Sequence, residues 1–492
     1  MGSSSPPGNH HGHQGVVAAG HKLTASAGAE ILRRGGNAID AAIAAMAMAC
    51  VCEPVLASIG GGGFAMIRGA DTRLSLIDFF PKTPIERRQS GTDGTQVIHA
   101  DFGTAIQAFR IGPATVATPG FVAGVHAMAG RGASMPLAEL FDPAITAARS
   151  GVPVSRFAHF LSTVVRPILT ATEATAALFA PDGKMLAEGA TMVNPGLAEA
   201  FTVLAESDPI DNPVMAAILE SQRAEGNLTD DDLQGYEAVE RTPLTVKVGQ
   251  SLVHLNPYPA AGGILIDHSL RQIESANPNE LAEAFLATAR ARAAATDSLG
   301  RLDPALLRSQ GTSHISVIDA DGNACSVTVS NGSGNGELVD GYGFMLNNIL
   351  GEDDLNPAGP AVWPTGTRMS SMMCPTLIEQ PDGGLIALGS GGSNRIRTAI
   401  SQVVAQLCFN DADLVAAVEA PRLHVEGEHL DFEDLLDDDT TDQLRERFVD
   451  HLAWPQRDLF YGGVHSARRG ADGVLQAHGD PRRDGAAVIV EG

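Results

Sequence analysis

The 492-residue chain predicts a mixed α/β fold with packed sheets, and three observations carry that expectation. Helical periods open the sequence, strand patterns fill its middle, and a helix followed by short strands closes it. The stretch QGTSHISVIDADGNACSVTVSN, 310–331, reads as two alternating strands joined by the turn residues Asp319 to Asn323. Glycine is abundant at 54 residues while aromatics make up only 5%, which suits tight turns and closely approaching layers. The length admits one large domain or two intimately joined halves.

Taken in order, 22–34 is amphipathic and meets Gly35-Gly36, a helix stop. A second helix is expected over 37–52, closed by Pro54. The run SIGGGGF, 58–64, precedes strands at 64–68 and 74–79. Four glycines suggest a phosphate cradle, but no Lys-Ser/Thr follows and a strand comes next. A backbone approached closely by another layer is the better reading. Helices are expected from 118–124 onward and over 136–149, 196–206 and 213–224, with a helical turn at 230–236. Two strands fall within 241–255, a helix starts at Gly262-Gly263, and 280–298 is an Ala-rich helix. The polar span 297–310 reads as an exposed loop, a place where a backbone can be cut.

Beyond the hairpin, 344–349 is expected as a strand. The segment 351–367, with Pro357, Pro360, Pro364 and Trp363, is a lid or a rigid surface loop. Ser370-Ser371 stand ahead of a strand within 368–378. The apolar span 385–388 runs through GSGGSN, 389–394, straight into a helix over 395–408. Consecutive backbone N–H groups at such a helix start can hold an oxyanion or a carboxylate. Strands at 474–477 and 486–490 flank Asp480, Arg482 and Arg483, which read as structural ion pairs. No internal repeat is present.

The formal charge of −25 and pI near 4.9 argue against a nucleic-acid partner. Cys50, Cys52, Cys325, Cys374 and Cys408 lack zinc-site spacing, and Cys50-Val51-Cys52 lies in an apolar helical run, so buried free thiols are expected. No apolar stretch is long enough to span a bilayer. The N-terminus has no basic region followed by an apolar core, and 1–15, with His10, His11 and His13, reads as a disordered tail. The expected location is the cytoplasm.

Chemistry concentrates at Thr312. If the Gly311–Thr312 bond were cut, Thr312 would carry a free α-amine beside its hydroxyl, and an N-terminal amine is a recognised activator of a weak hydroxyl nucleophile. That amine titrates near ~8, leaving a neutral fraction to act as base. The antiparallel pairing brings Ser330 back to Thr312. His314 and His424 read as satisfied buried histidines, since this mechanism needs no imidazole.

Assembled, these stretches resemble the γ-glutamyltranspeptidase family of N-terminal-nucleophile hydrolases, from about residue 20 to the C-terminus. The carrying segments are ILRRGGNAIDAAIAA, IGGGGFAMIR, TPGFVAG, LTDDDLQGYEAVERTPL and PYPAAGGI. In the second half they are TSHISVIDADGNACSVT, MLNN, RMSSMMCPTL, GSGGSNRI, EAPRLHVEG and GDPRRDGAA. The resemblance implies a four-layer αββα sandwich of two stacked antiparallel sheets flanked by helices. It also implies a precursor cut at Gly311–Thr312 into a large chain, 1–311, and a small chain, 312–492, which together build one unit. Thr312 matches the nucleophile and Ser330 a supporting hydroxyl residue. Asn331, Ser370, Ser371 and Asp353 fall at substrate-binding positions, and the oxyanion diglycine falls on Gly391, Gly392 or Ser393, since the motif reads GSGGSNR. No metal or cofactor is implied. The partners are a small-molecule amide or γ-glutamyl substrate, the two chains of the precursor, and a second processed pair in a homodimer, with neither nucleic acid nor membrane.

Two departures bear on substrate. Phe80 follows Asp78-Phe79 where the family places an Arg for the substrate's α-carboxylate. Ile349 follows Asn347-Asn348 where the family has Gln or Glu, and the acidic pair is displaced to Asp353-Asp354. The expected activity is a γ-glutamyltransferase-like amide hydrolase or transferase working through an acyl-enzyme. The alternatives are an acylase for a non-glutathione amide and a non-catalytic binding protein on the same fold.

Overall fold

The hairpin read from the sequence forms the middle of a seven-stranded antiparallel sheet in the computed structural model, which describes residues 14–87, 94–101, 106–299, 311–352 and 363–492. Across this sheet the order is Ala486–Val490, Gly15–Ala19, Thr312–Asp319, Ala324–Ser330, Gly62–Arg68, Leu74–Phe79 and Val239–Arg241. A second antiparallel sheet runs Leu475–His478, Gly463–Arg469, Leu385–Gly391, Thr376–Glu379, Ser251–Leu255 and Leu244–Val248. The two sheets stack through the Thr312–Asp319 and Leu385–Gly391 strands. Helices Lys22–Arg33 and Ala38–Cys52 cover the first sheet, and Ala261–Leu270 and Arg395–Phe409 cover the second. The result is the expected four-layer αββα sandwich.

Successive strand residues point to opposite faces, so each strand of the first sheet feeds two cores. Ile315, Val317, Val327 and Val329 join Ala41, Ile43 and Met46 on the helix side. Ile318, Phe64 and Met66 join Leu377, Ile386 and Leu388 between the sheets. The polar set of the hairpin therefore faces the second sheet rather than water. Its members are hydrogen-bonded there, as buried polar groups must be. His314 Nδ1 lies 2.8 Å from Thr328 Oγ1 and its Nε2 2.9 Å from Ser316 Oγ. The Ser326 hydroxyl donates to the Leu388 carbonyl of the facing sheet at 2.9 Å. This explains why an alternation that usually marks a half-exposed strand here marks one buried along its whole length.

The predicted helices form within a residue or two of their expected ends, and Asn37 closes a capping box with Asp40 at the start of Ala38–Cys52. The glycine run 60–63 is a close-approach backbone: a Cβ on Gly61 would sit 2.3 Å from the Ser330 carbonyl, and one on Gly63 2.2 Å from that of Thr328. Three expectations are corrected. Gly15 belongs to a strand, paired with Asp319 on one side and Val490 on the other, so the tail ends before it. Residues 344–349 form no strand; only the bridges Leu338↔Met345 and Gly60↔Leu346 appear, followed by the single turn Ile349–Gly351. The Asn347 side chain takes the ladder's place, donating to the Gly60 and Ala117 carbonyls at 2.8 Å each and accepting from the Ala117 amide at 3.0 Å. Arg482 pairs with Glu433 at 2.6 Å and Asp480 at 3.3 Å, and Arg422 with Asp480 at 2.7 Å, whereas Arg483 donates to the Leu459 carbonyl and lies over the Phe157 ring. The loop expected at 297–310 and the lid segment 351–367 fall largely outside the described residues, and the histidine tail falls outside them entirely.

Candidate active site

Strand pairing fixes the centre of the site. Thr312 opens its strand directly opposite Ser330, which ends the next one, and both lie on the face between the sheets. Each is 5% exposed. The Ser330 hydroxyl donates to the Gly311 carbonyl in a very short hydrogen bond and accepts from the Gly332 amide at 3.1 Å. Gly311 is pressed against the Gly332 carbonyl so tightly that a Cβ would fall 1.4 Å from that oxygen. The uncut Gly311–Thr312 peptide is thus held with its carbonyl oxygen already engaged by a hydroxyl donor.

From the facing sheet, the Leu385–Gly391 strand ends against the same point. A Cβ on Gly391 would lie 2.3 Å from the Thr312 carbonyl, so only glycine lets the two sheets meet there. Gly391 remains in the ladder opposite Gly463. Gly392 and Ser393 then turn the chain with φ of 134° and 59° into the Arg395–Phe409 helix. The second value is left-handed and unusual for a serine.

A small recess, partly open to solvent, lies over Thr312 and Ser330. Phe80, Ile349, Met372 and Met373 form its apolar walls, and Glu352, Ser371, Ser393 and Asn394 its polar ones. Phe80 stacks on Phe64 at 5.5 Å. Arg368, near in sequence to the serine pair, is turned elsewhere. It donates to the Phe80 and Glu237 carbonyls and to the Tyr236 hydroxyl, and its guanidinium lies 4.6 Å over the Tyr236 ring. Burial pushes the Tyr236 phenol up, so it stays neutral.

Of the predicted site residues, Thr312, Ser330, Ser371 and Ser393 meet at the recess. Gly391 abuts Thr312 from behind. Ser370 is half-buried and, like Asn331, does not line the recess; Asn331 is fully buried, and neither of its side-chain amide atoms is bonded to the described residues. Asp353 lies outside the described residues. Glu352 and Asn394 line the recess and were not singled out in the sequence. The first sits one residue before the acidic pair, and the second was masked by the glycines that precede it. Among the described residues no histidine lines the recess: His314 is buried between the sheets, and burial holds its imidazole well below the usual range. No group of His, Cys, Asp and Glu suited to a metal occurs among the described residues.

Two antiparallel sheets stacked between helical layers, with a recess over the first residue of a central strand, define the architecture of the N-terminal-nucleophile hydrolases. The chain belongs to the γ-glutamyltranspeptidase family, whose model matches residues 24–296 and 276–490. It is 28% identical to the glutathione hydrolase proenzyme of Escherichia coli strain K12, over 95% of this chain and 90% of that one. It is 27% identical to the acylase ACY 1 proenzyme of Pseudomonas sp. strain V22, over 98% of this chain and 94% of that one. Among solved structures, a cephalosporin acylase from Bacillus halodurans superposes with a TM-score of 0.81 at 22% identity, covering 100% of this chain and 99% of that one, a likeness of fold.

Proposed function

We propose that this chain is a self-processing amide hydrolase or acyl transferase whose nucleophile, Thr312, is released by cutting its own Gly311–Thr312 bond. One observation carries the reading: the Ser330 hydroxyl is bonded to the carbonyl that such a cut must attack. Thr312 Oγ adds to the Gly311 carbonyl carbon, the peptide nitrogen leaves, and an ester links the two residues. Water hydrolyses it to a Gly311 carboxylate and a free Thr312 α-amine. A large chain, 1–311, and a small chain, 312–492, result. The proenzyme names of both relatives support processing of a precursor.

In the processed form the neutral α-amine takes the Thr312 hydroxyl proton as the oxygen attacks a substrate amide. The left-handed turn at Ser393, on the recess wall, favours the Gly392 and Ser393 amides as oxyanion donors over Gly391, which stays in the sheet. One such donor is typically worth roughly 3 kcal/mol in the transition state. Water or an acceptor amine then releases the acyl group. Ser371 is a substrate contact by its place on the recess wall; Ser370, Asn331 and Asp353 are assigned that role from the family pattern.

An acylase reading has its own support. Phe80 and Ile349 wall the recess where the family pattern calls for groups that grip a γ-glutamyl zwitterion, and one relative is named an acylase. We place the protein in the cytoplasm, which suits its unpaired cysteines, four of them buried. Its substrate is a small molecule, its processed pair is a candidate for homodimerisation, and a charge of −25 disfavours nucleic acid. No described helix is long and apolar enough to cross a membrane.

Intact-mass measurement of the purified protein tests the reading. Two fragments that part between Gly311 and Thr312 are expected, with a single uncut chain for Thr312→Ala. A wild-type chain that stays whole on prolonged incubation overturns it.

A further inference from the structure

Thr312 and Ser313 point to opposite faces of their strand, so the residue after the nucleophile looks away from the recess and into the helical layer. Ile315, Val317 and Val329 share that face and are apolar. Ser313 is 3% exposed among them, and its hydroxyl donates to Glu53 Oε2 at 2.8 Å. The other oxygen of Glu53 accepts from Thr24 Oγ1 of the helix Lys22–Arg33 at 2.6 Å. Glu53 stands against its local setting. It is 6% exposed and caps the C-terminal end of Ala38–Cys52, where the helix carbonyls make the potential negative. A buried carboxylate there opposes folding of the helix unless it is hydrogen-bonded, and the two hydroxyls supply those bonds. A group that works against its own helix is expected where function fixes the residue.

The turn that Glu53 begins also reaches the other side of the proposed cut. A Cβ on Gly311 would lie 3.0 Å from the Val55 carbonyl. Gly20 closes over the pair: its own added Cβ would fall 2.9 Å from Glu53 Oε2 and 3.2 Å from Ser313 Oγ, so only glycine leaves that bond its room. The geometry points to Glu53 and Ser313 as a positioning pair for the nucleophile. The carboxylate grips the Ser313 hydroxyl from behind the sheet and fixes the start of the strand, and with it the direction of the Thr312 side chain. This assignment rests on the self-processing reading and adds two residues to it. Neither lines the recess, so the pair acts through the backbone of Thr312. Before the cut it holds Thr312 for attack on the Gly311 carbonyl. After the cut Thr312 has lost its covalent tether on one side, and the anchored neighbour keeps the new N-terminus in register opposite Ser330.

The time course of precursor loss tests the pair. Ser313→Ala removes the bond and leaves Glu53 its Thr24 partner. It should slow self-cleavage by roughly 10–100-fold, the scale of a misplacement on the order of 1 Å. Glu53→Met should do the same, and the double variant should be no slower than the slower single one, as expected of two residues that act as a unit. Glu53→Gln keeps an acceptor oxygen and should recover most of the rate. In the processed Ser313→Ala enzyme, kcat should fall roughly tenfold with KM unchanged, for whichever of the γ-glutamyl and γ-aminobutyryl para-nitroanilides is cleaved. Loss of a substrate contact would move KM instead. Single variants that cut at the wild-type rate overturn the inference and leave the hydrolase reading standing. So does a double variant slowed by the product of the two single effects, or a Glu53→Gln variant as slow as Glu53→Met. A wild-type chain that never parts removes both. Should Glu53→Met fail to fold, the loss of rate in Ser313→Ala and its retention in Glu53→Gln decide.

Discussion

Ser330 and Gly311 are joined by a hydrogen bond from a hydroxyl to the carbonyl oxygen of the bond proposed to break. The second contact of Ser330 Oγ, from the Gly332 amide at 3.1 Å, leaves the hydroxyl proton directed at Gly311. As the carbonyl becomes tetrahedral its oxygen gains charge, and the existing bond strengthens. Ser330→Ala should therefore slow self-cleavage by roughly 10²–10³-fold, the usual effect of removing one oxyanion donor. Ser330→Thr, which keeps the hydroxyl, should restore much of the rate. The time course of precursor loss on a denaturing gel checks both.

Gly391→Ala should block the site by steric means alone. Its added methyl would fall 2.3 Å from the Thr312 carbonyl, and both atoms belong to paired strands of opposing sheets, so neither side can yield cheaply. A destabilisation of about 1–3 kcal/mol is expected, together with loss of processing. Denaturant midpoints and intact mass would report the two effects. A variant that is cut at the normal rate would show that the sheets separate more easily at this point than their packing implies.

Phe80→Arg should change preference in favour of carboxylates. The new guanidinium would enter a recess that already holds Glu352, and the Phe64 stack at 5.5 Å would be lost. That stack contributes about 0.5–1.5 kcal/mol beyond burial, so some stability should go with it. The ratio of kcat/KM for the γ-glutamyl anilide over the γ-aminobutyryl anilide should rise at least about tenfold. An unchanged ratio would mean that Phe80 does not touch the acyl chain.

Acid should loosen the packing between the two sheets around His465. Burial lowers the His465 imidazole to about 4, against the opposing pull of the Asp480 carboxylate, with Arg483 and Arg422 adding to the fall. A histidine depressed in the folded state is neutral there while the unfolded chain takes up a proton. Its contribution is thus complete above about 6.5 and is lost as pH falls towards 4. The loss is on the order of 3 kcal/mol by pH 4. His465→Gln should flatten the urea midpoint between pH 7 and pH 5. Activity should instead follow the Thr312 α-amine, with an acid limb near ~8 and none near ~6.5, because no imidazole of the described residues lines the recess.

Much of this architecture was legible in the sequence because the responsible signals are local. The Asp319–Asn323 turn sets the hairpin register, and that register alone brings Ser330 opposite Thr312. Glycines without any side-chain chemistry marked the close approach at 60–63, whereas the run at 389–394 was legible only as a helix start and its close approach at Gly391 came from the facing sheet. What escaped was decided by distant contacts. The strand expected at 344–349 gave way because Asn347 satisfies backbone groups at Gly60 and Ala117, both far away in the chain. The strand Gly15–Ala19 is too short to announce itself and exists because residues 319 and 490 arrive on either side. Asn394 closes the GSGGSN run and Glu352 precedes the acidic pair, but neither position announces a place on the recess wall. Their importance comes from sharing a wall with Phe80 and Met373, which are brought there by different layers.

The order of strands has a consequence for the fragments that the proposed cleavage would leave. In the seven-stranded sheet, Gly15–Ala19 of the larger piece lies sandwiched between Ala486–Val490 and Thr312–Asp319 of the smaller, and in the second sheet Ser251–Leu255 pairs with Thr376–Glu379. The pieces are woven through one another, so scission is mechanically silent: nothing can drift apart without tearing both sheets. Expressed as two separate polypeptides, each would lack the edges its strands zip onto. The uncut chain is therefore the template on which its own halves learn to fit, and mixing the isolated halves should not rebuild what one continuous backbone assembles.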